Sequence, residues 1–200
     1  MINGLKQILN SSYLVWLALF VPSIPMLEDL WHHERYYAEL MYESGVLATQ
    51  LIIVALAITP LMRITTRLRP MQTALLWVQK RRRAIGVAAF GYAALHTIFY
   101  VREIGSFELV VLELEEPSLV TGWLAFLILL VLAATSNRFS TRRLGPKWKS
   151  LQSTSYLAAT AVFLHWWLID QFLLEMLLWF APLLVLQLLR LQKARMQQSV

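Results

Sequence analysis

Six long runs of nearly uncharged, apolar residues limit what this chain can fold into. They lie at about 13–30, 44–62, 84–101, 119–136, 150–169 and 172–189. Each holds the roughly 18 to 20 residues that a helix needs to cross the hydrocarbon core of a bilayer. In lipid every backbone N–H and C=O must be satisfied within the segment, so each run reads as an α-helix. The expected fold is an all-α integral membrane protein, a single transmembrane domain over residues 1–200 forming a bundle of six helices. Hydrophobic residues make up 58% of the chain, against roughly half in a soluble domain. The first run ends at Glu28 and Asp29, and only a tight turn near Asp170 separates the last two. Residues 5–27 also have the outline of a secretory signal, with Lys6 as its charged start. No A-x-A-like site follows, and Pro22 and Pro25 interrupt the run, so it is read as a helix.

Charge orients the bundle. With the N-terminus inside, the inner segments are 1–12, 63–83, 137–149 and 190–200, and they hold 16 of the 18 basic residues. Only Arg35 and Arg102 fall elsewhere, while all 12 acidic residues lie in outer segments or at outer helix ends. Basic loops stay on the cytoplasmic side, so both termini are expected there. The isoelectric point near 9.8 then reflects orientation and contact with anionic lipid, not nucleic acid. The absence of Cys excludes disulfides, thiolate-held iron–sulfur clusters and haem attached through C-x-x-C-H. The sequence has no Gly-rich phosphate loop, no H-E-x-x-H and no obvious internal repeat. With loops of at most about 20 residues, the chemistry belongs inside the membrane or at its faces.

Within this frame the run GVAAFGYAALHTIFY, residues 86–100, contains one histidine, His96. His165 lies in the fifth run, whereas His32 and His33 fall in the first outer loop and have no assigned role. An ionisable side chain within a span tends to face the bundle interior and marks function. It also has a plain reading, a neutral imidazole bonded to a neighbouring helix. Depth favours pairing. His96 follows Arg83 by 13 residues and His165 follows Lys149 by 16, about 20 and 24 Å of helix. Two imidazoles at one level on separate helices suit the two axial positions of one haem iron. Gly86, Ala89, Gly91 and Ala93 leave room for a flat ligand or for close helix packing. Tyr92, Phe99, Tyr100, Trp166 and Trp167 suit the lining of such a slot or an interfacial aromatic belt. Zinc is the competing metal, but it usually takes three or four protein ligands, and neither Cys nor a third in-span His is present.

Several segments resemble the ferric-reductase-like transmembrane domain, specifically the MsrQ/YedZ family of haem-binding membrane subunits in periplasmic methionine sulfoxide reductase systems. They are ESG before the second run, LAITPLMR (56–63), KRRRAIG…ALHTIFY (80–100), EPSLVTGWLAFLILLVLAATS (116–136) and RRLGPKWKSLQSTSYLAATAVFLHW (142–166). The likeness spans about residues 44–169, with additional helices at about 13–30 and 172–189. It implies a six-helix b-type cytochrome of the bacterial inner membrane, with His96 and His165 at the family's haem-ligand positions. It also implies a cytoplasmic flavin reductase or quinol as donor, a flavin mononucleotide (FMN) or quinone near the inner side, and a periplasmic molybdopterin reductase as acceptor. One position departs: the family's second histidine in span five, at the end of LGxxWxxLH, is Gln152 here. An amide is a poor iron ligand, so one haem per chain is expected. The inner position is then vacant, taken by flavin or quinone, or closed by a hydrogen bond of Gln152 across the bundle.

Two charged regions complete the expectation. Arg63, Arg82, Arg83 and Arg143, with Arg81, gather at inner helix ends, where Arg suits a flavin phosphate or a haem propionate. Glu108, Glu113, Glu115 and Glu116, with Glu34, Glu39 and Glu43, give an acidic outer face that suits a basic acceptor. Besides electron transfer, the sequence permits a membrane anchor or assembly scaffold and a haem-dependent ferric-ion reductase.

Overall fold

The computed structural model describes residues 11–32, 36–66, 68–169 and 173–198, and every regular element among them is helical. In chain order these are α1 (Ser12–Phe20), α2 (Ser23–His32), α3 (Tyr37–Ile64), α4 (Arg69–Gln79) and α5 (Arg82–Ile104). There follow α6 (Phe107–Leu112) with a 3-10 turn (Glu113–Glu115), α7 (Pro117–Ala134), α8 (Arg138–Leu144), α9 (Pro146–Ser153), α10 (Ser155–Ile169) and α11 (Leu173–Gln198).

Among the described residues four helices are long and apolar enough to cross a membrane: Tyr37–Ile64, Arg82–Ile104, Pro117–Ala134 and Leu173–Met196. The run expected at 13–30 is two helices bent by 49°, which make a fifth crossing if the pair counts as one span. Pro22 stands at the bend and cannot donate to the ladder. A carbonyl left over in the last turn of α1, that of Leu19, accepts the Tyr92 hydroxyl of α5 at 2.7 Å. The run expected at 150–169 also breaks. Ser153 Oγ donates to the Ser150 carbonyl at 2.6 Å and Thr154 Oγ1 to that of Leu151 at 2.8 Å. Such hydroxyls compete with the helix ladder and end α9. The apolar part is left to α10, whose 15 residues rise about 22 Å.

Helix ends follow local chemistry. Asn137 caps α8 by accepting the Ser140 N–H at 2.8 Å. Pro117 and Pro146 open α7 and α9, where a missing N–H costs nothing. Gly105, at φ +69°, stops α5 in the left-handed conformation that a side chain disfavours.

α3 is the central helix, packed along α5 and against α11, while α7 packs along α10 and also meets α5. Ala89 and Ala158 are wholly buried, as close approach of helices in lipid requires. They sit in a core with Ile52, Ile53, Leu56 and Leu129. A second core joins Met26 of α2 to Leu40, Ala48, Tyr92 and Phe99. Leu127, Val131, Leu184 and Val185 are exposed on the outside of the bundle, the reverse of a soluble fold. Between α3, α5, α7 and α10 the packing opens into a cavity.

Candidate cofactor site

His96 comes from α5 and His165 from α10, and the two rings meet in the cavity between α3, α5, α7 and α10. Their ring centroids are 6.1 Å apart and their planes are perpendicular, at 90°. Both rings line a cavity of about 310 Å³. The rest of its wall is mostly apolar, including Ile52, Ala93, Ala125, Phe126, Leu129 and Val162, with the hydroxyl residues Tyr42, Thr49, Thr97 and Tyr100 among them.

Each imidazole is fixed from behind. His96 Nδ1 lies 2.8 Å from the Met41 carbonyl of α3, and His165 Nδ1 lies 2.7 Å from the Ser118 carbonyl of α7. A carbonyl only accepts, so both Nδ1 atoms carry the proton and donate, and both Nε2 atoms keep a lone pair. That is the arrangement by which proteins orient a metal-ligating histidine. Glycine makes the approach possible. A Cβ on Gly45 would stand 2.8 Å from His96 Nδ1, and one on Gly122 would stand 2.7 Å from His165 Nδ1 and Cε1.

The spacing fits one metal between two rings. With metal–nitrogen bonds of about 2 Å, and each centroid roughly 1 Å behind its nitrogen, opposed imidazoles have centroids about 6 Å apart. Among the described residues no group of three or more His, Asp or Glu converges to hold a metal by protein ligands alone. Two neutral imidazoles in a dry apolar slot suit haem, whose porphyrin fills the remaining positions on the iron.

Other expected residues divide. Ala93, Tyr100 and Trp166 line the cavity. Gly86 and Gly91 face open space, so they are not the small residues that make room. Tyr92 turns to Leu19, Phe99 is buried in the second core, and Trp167 is exposed. Gln152 Nε2 lies 3.4 Å from both the Leu132 carbonyl and Thr135 Oγ1, a bond across to α7. The arginines face different neighbours. Arg82 reaches Thr59 of α3 at 3.5 Å, and Arg83 reaches Thr141 of α8 at 3.3 Å. Arg143 lies 5.9 Å from the Phe139 ring, and the Arg63 carbonyl accepts from Lys193 at 2.7 Å. Of the acidic residues, Glu108, Glu115, Glu116 and Glu39 are exposed, and Glu113 and Glu43 are half-buried. His32 is exposed at the end of α2; His33, Glu34 and Arg35 lie outside the described residues.

The residues that sequence reasoning missed are the supports: Gly45, Gly122 and the carbonyls of Met41 and Ser118. ESG and VTG carried the only signal, a hydroxyl residue followed by glycine toward the N-terminal ends of α3 and α7.

The family described as "Ferric reductase like transmembrane component" matches residues 44–164. Among curated relatives, a protein-methionine-sulfoxide reductase heme-binding subunit MsrQ from Pectobacterium atrosepticum is 31% identical, over 97% of this chain and 94% of its own. Its counterpart from Pectobacterium carotovorum is 30% identical over 96% of both chains. The one from Bordetella pertussis is 34% identical over 64% of this chain and 60% of its own. No solved structure matches. Apolar helices, family match and near full-length relatives agree: the chain is a multi-pass membrane protein of the ferric reductase-like transmembrane family, in the branch of the MsrQ proteins.

Proposed function

We propose that this protein is the electron-carrying membrane subunit of an oxidoreductase system, a b-type cytochrome with one haem ligated by His96 and His165. The observation that carries the reading is the imidazole pair itself, 6.1 Å apart, with each Nδ1 bonded to a carbonyl. When bound, haem supplies a one-electron carrier whose potential is set by its ligands and surroundings. The chain supplies two neutral ligands held in one tautomer and an apolar wall that keeps water away.

The relatives are named heme-binding subunits of protein-methionine-sulfoxide reductase, which supports a methionine sulfoxide reductase as acceptor. We assign the acceptor to the periplasm, as a molybdopterin enzyme, and the donor to a cytoplasmic flavin reductase or quinol. The charge pattern supports six inner-membrane spans with both termini cytoplasmic, α9 and α10 together making the fifth. It also supports an acidic outer face for the acceptor and arginines 63, 82, 83 and 143 as the donor side, where FMN or a propionate would bind. The bond from Gln152 to α7 supports one haem rather than two.

Gln152 also favours a second reading, in which the chain has lost part of its redox equipment and anchors its partner. Visible spectroscopy of the purified protein, with haem counted per chain, separates the two. One low-spin b-type haem is expected; a protein that never acquires haem is a scaffold.

A further inference from the structure

The two halves of the histidine site repeat one arrangement that the sequence does not advertise. In α3, Ser44 precedes Gly45; in α7, Thr121 precedes Gly122. Ser44 Oγ donates back to the Leu40 and Met41 carbonyls, at 2.7 and 3.0 Å. Thr121 Oγ1 does the same to the Pro117 and Ser118 carbonyls, at 3.1 and 2.7 Å. The second carbonyl of each pair, Met41 or Ser118, is the one that accepts the imidazole Nδ1–H.

A carbonyl inside a helix already serves the N–H four residues on, and the side chain there normally screens it. Gly45 stands four residues after Met41, and Gly122 four after Ser118. With no Cβ at those places, an imidazole from the facing helix comes within bonding range. The hydroxyl beside each glycine shares the carbonyl's electron density with the imidazole proton. Each half-site is therefore a hydroxyl, a carbonyl and a glycine on one helix, gripping a histidine on the facing one. The grips also leave the two rings perpendicular, at 90°.

We propose that Ser44–Gly45 and Thr121–Gly122 are duplicated positioning clamps. The glycine fixes the seat and plane of each imidazole, and the hydroxyl tunes how strongly the shared carbonyl holds the Nδ1 proton. This rests on the reading of His96 and His165 as haem ligands. A carbonyl relieved of its hydroxyl pulls harder on the Nδ1 proton and makes the imidazole a stronger donor. That favours ferric iron, so the midpoint potential falls.

The test uses the full-length protein, with electron paramagnetic resonance of the ferric form and redox titration. Perpendicular imidazole planes leave the iron orbitals nearly degenerate, so the wild type should show a low-spin signal dominated by one large g value. Gly45→Ala and Gly122→Ala should convert it to a rhombic or high-spin signal or lose the haem. Gly86→Ala and Gly91→Ala, where a methyl meets open space, should not. Ser44→Ala and Thr121→Val should keep full haem content with a more negative potential, and they decide the matter if the alanine variants of the clamp glycines do not fold. A rhombic wild-type signal, or all four clamp variants matching the wild type in signal and potential, overturns the clamps while leaving the haem reading intact. A wild type without haem, or one whose haem survives both His96→Ala and His165→Ala, overturns the haem reading itself.

Discussion

The Tyr42 hydroxyl of α3 donates to Glu175 Oε2 of α11 at 2.6 Å, tying the central helix to the last one. Tyr100 of α5 makes the same kind of bond to Glu113 Oε2 at 2.7 Å, holding the 3-10 turn. Both tyrosines line the histidine cavity, so the two bonds brace its wall. Tyr42→Phe and Tyr100→Phe each remove a donor to a carboxylate and should lower stability by about 1 kcal/mol. Thermal unfolding in detergent measures this, and unchanged midpoints in both variants would show that the bonds brace nothing.

The six-span layout has a direct check because the chain contains no Cys. Ser136→Cys and Ala194→Cys should react with a membrane-impermeant thiol reagent only from the cytoplasmic side, and Ser106→Cys only from the periplasmic side. Ser106 and Ala194 labelling from the same side would refute the layout, whatever the state of the histidine site.

Arg82 and Arg83 are placed at the start of α5, each within reach of a neighbouring threonine hydroxyl. The double change Arg82→Gln and Arg83→Gln should slow reduction by flavin donors severalfold, with haem content and topology kept. A guanidinium can bind a phosphate in a forked geometry that an amide cannot reproduce. Stopped-flow reduction decides it: wild-type rates would leave these residues only their part in orienting the chain.

Much of this architecture was legible because lipid makes simple demands. α3 and α5 cover the runs expected at 44–62 and 84–101, with ends moved outward to Tyr37, Ile64, Arg82 and Ile104. α7 starts and stops two residues before the run expected at 119–136, and α11 runs from Leu173 on to Gln198. His96 and His165 could be paired from depth alone, since an imidazole in an apolar helix needs a reason. The break at Ser153–Thr154 escaped notice because hydroxyl back-bonding leaves no mark on hydropathy. Gly45 and Gly122 escaped for another reason. A helical glycine, even within a segment that carries the resemblance, matters through what it faces, and the facing residues lie 51 and 43 positions away. Gly86 and Gly91 lie on the same helix as His96 yet face open space.

Gln152 sits at the position where the resemblance implies a histidine, and its amide bonds to α7. Gln152→Ala should leave the haem count untouched, because the histidine cavity does not include it. Gln152→His restores the imidazole and should recruit additional haem at the inner level. A fall in haem content in Gln152→Ala would mean that the inner position already takes part in binding.

The central claim is that His96 and His165 share one iron, and the haem content of the wild type and the two single alanine variants tests it most directly. Pyridine haemochrome assay against protein concentration should give one haem per wild-type chain, six-coordinate and low-spin. His96→Ala and His165→Ala should each lose most of the haem or turn it high-spin. The double variant should fare little worse than either single one, because both ligands act on the same metal. Two haems per wild-type chain, or full low-spin haem in His165→Ala, would contradict the assignment.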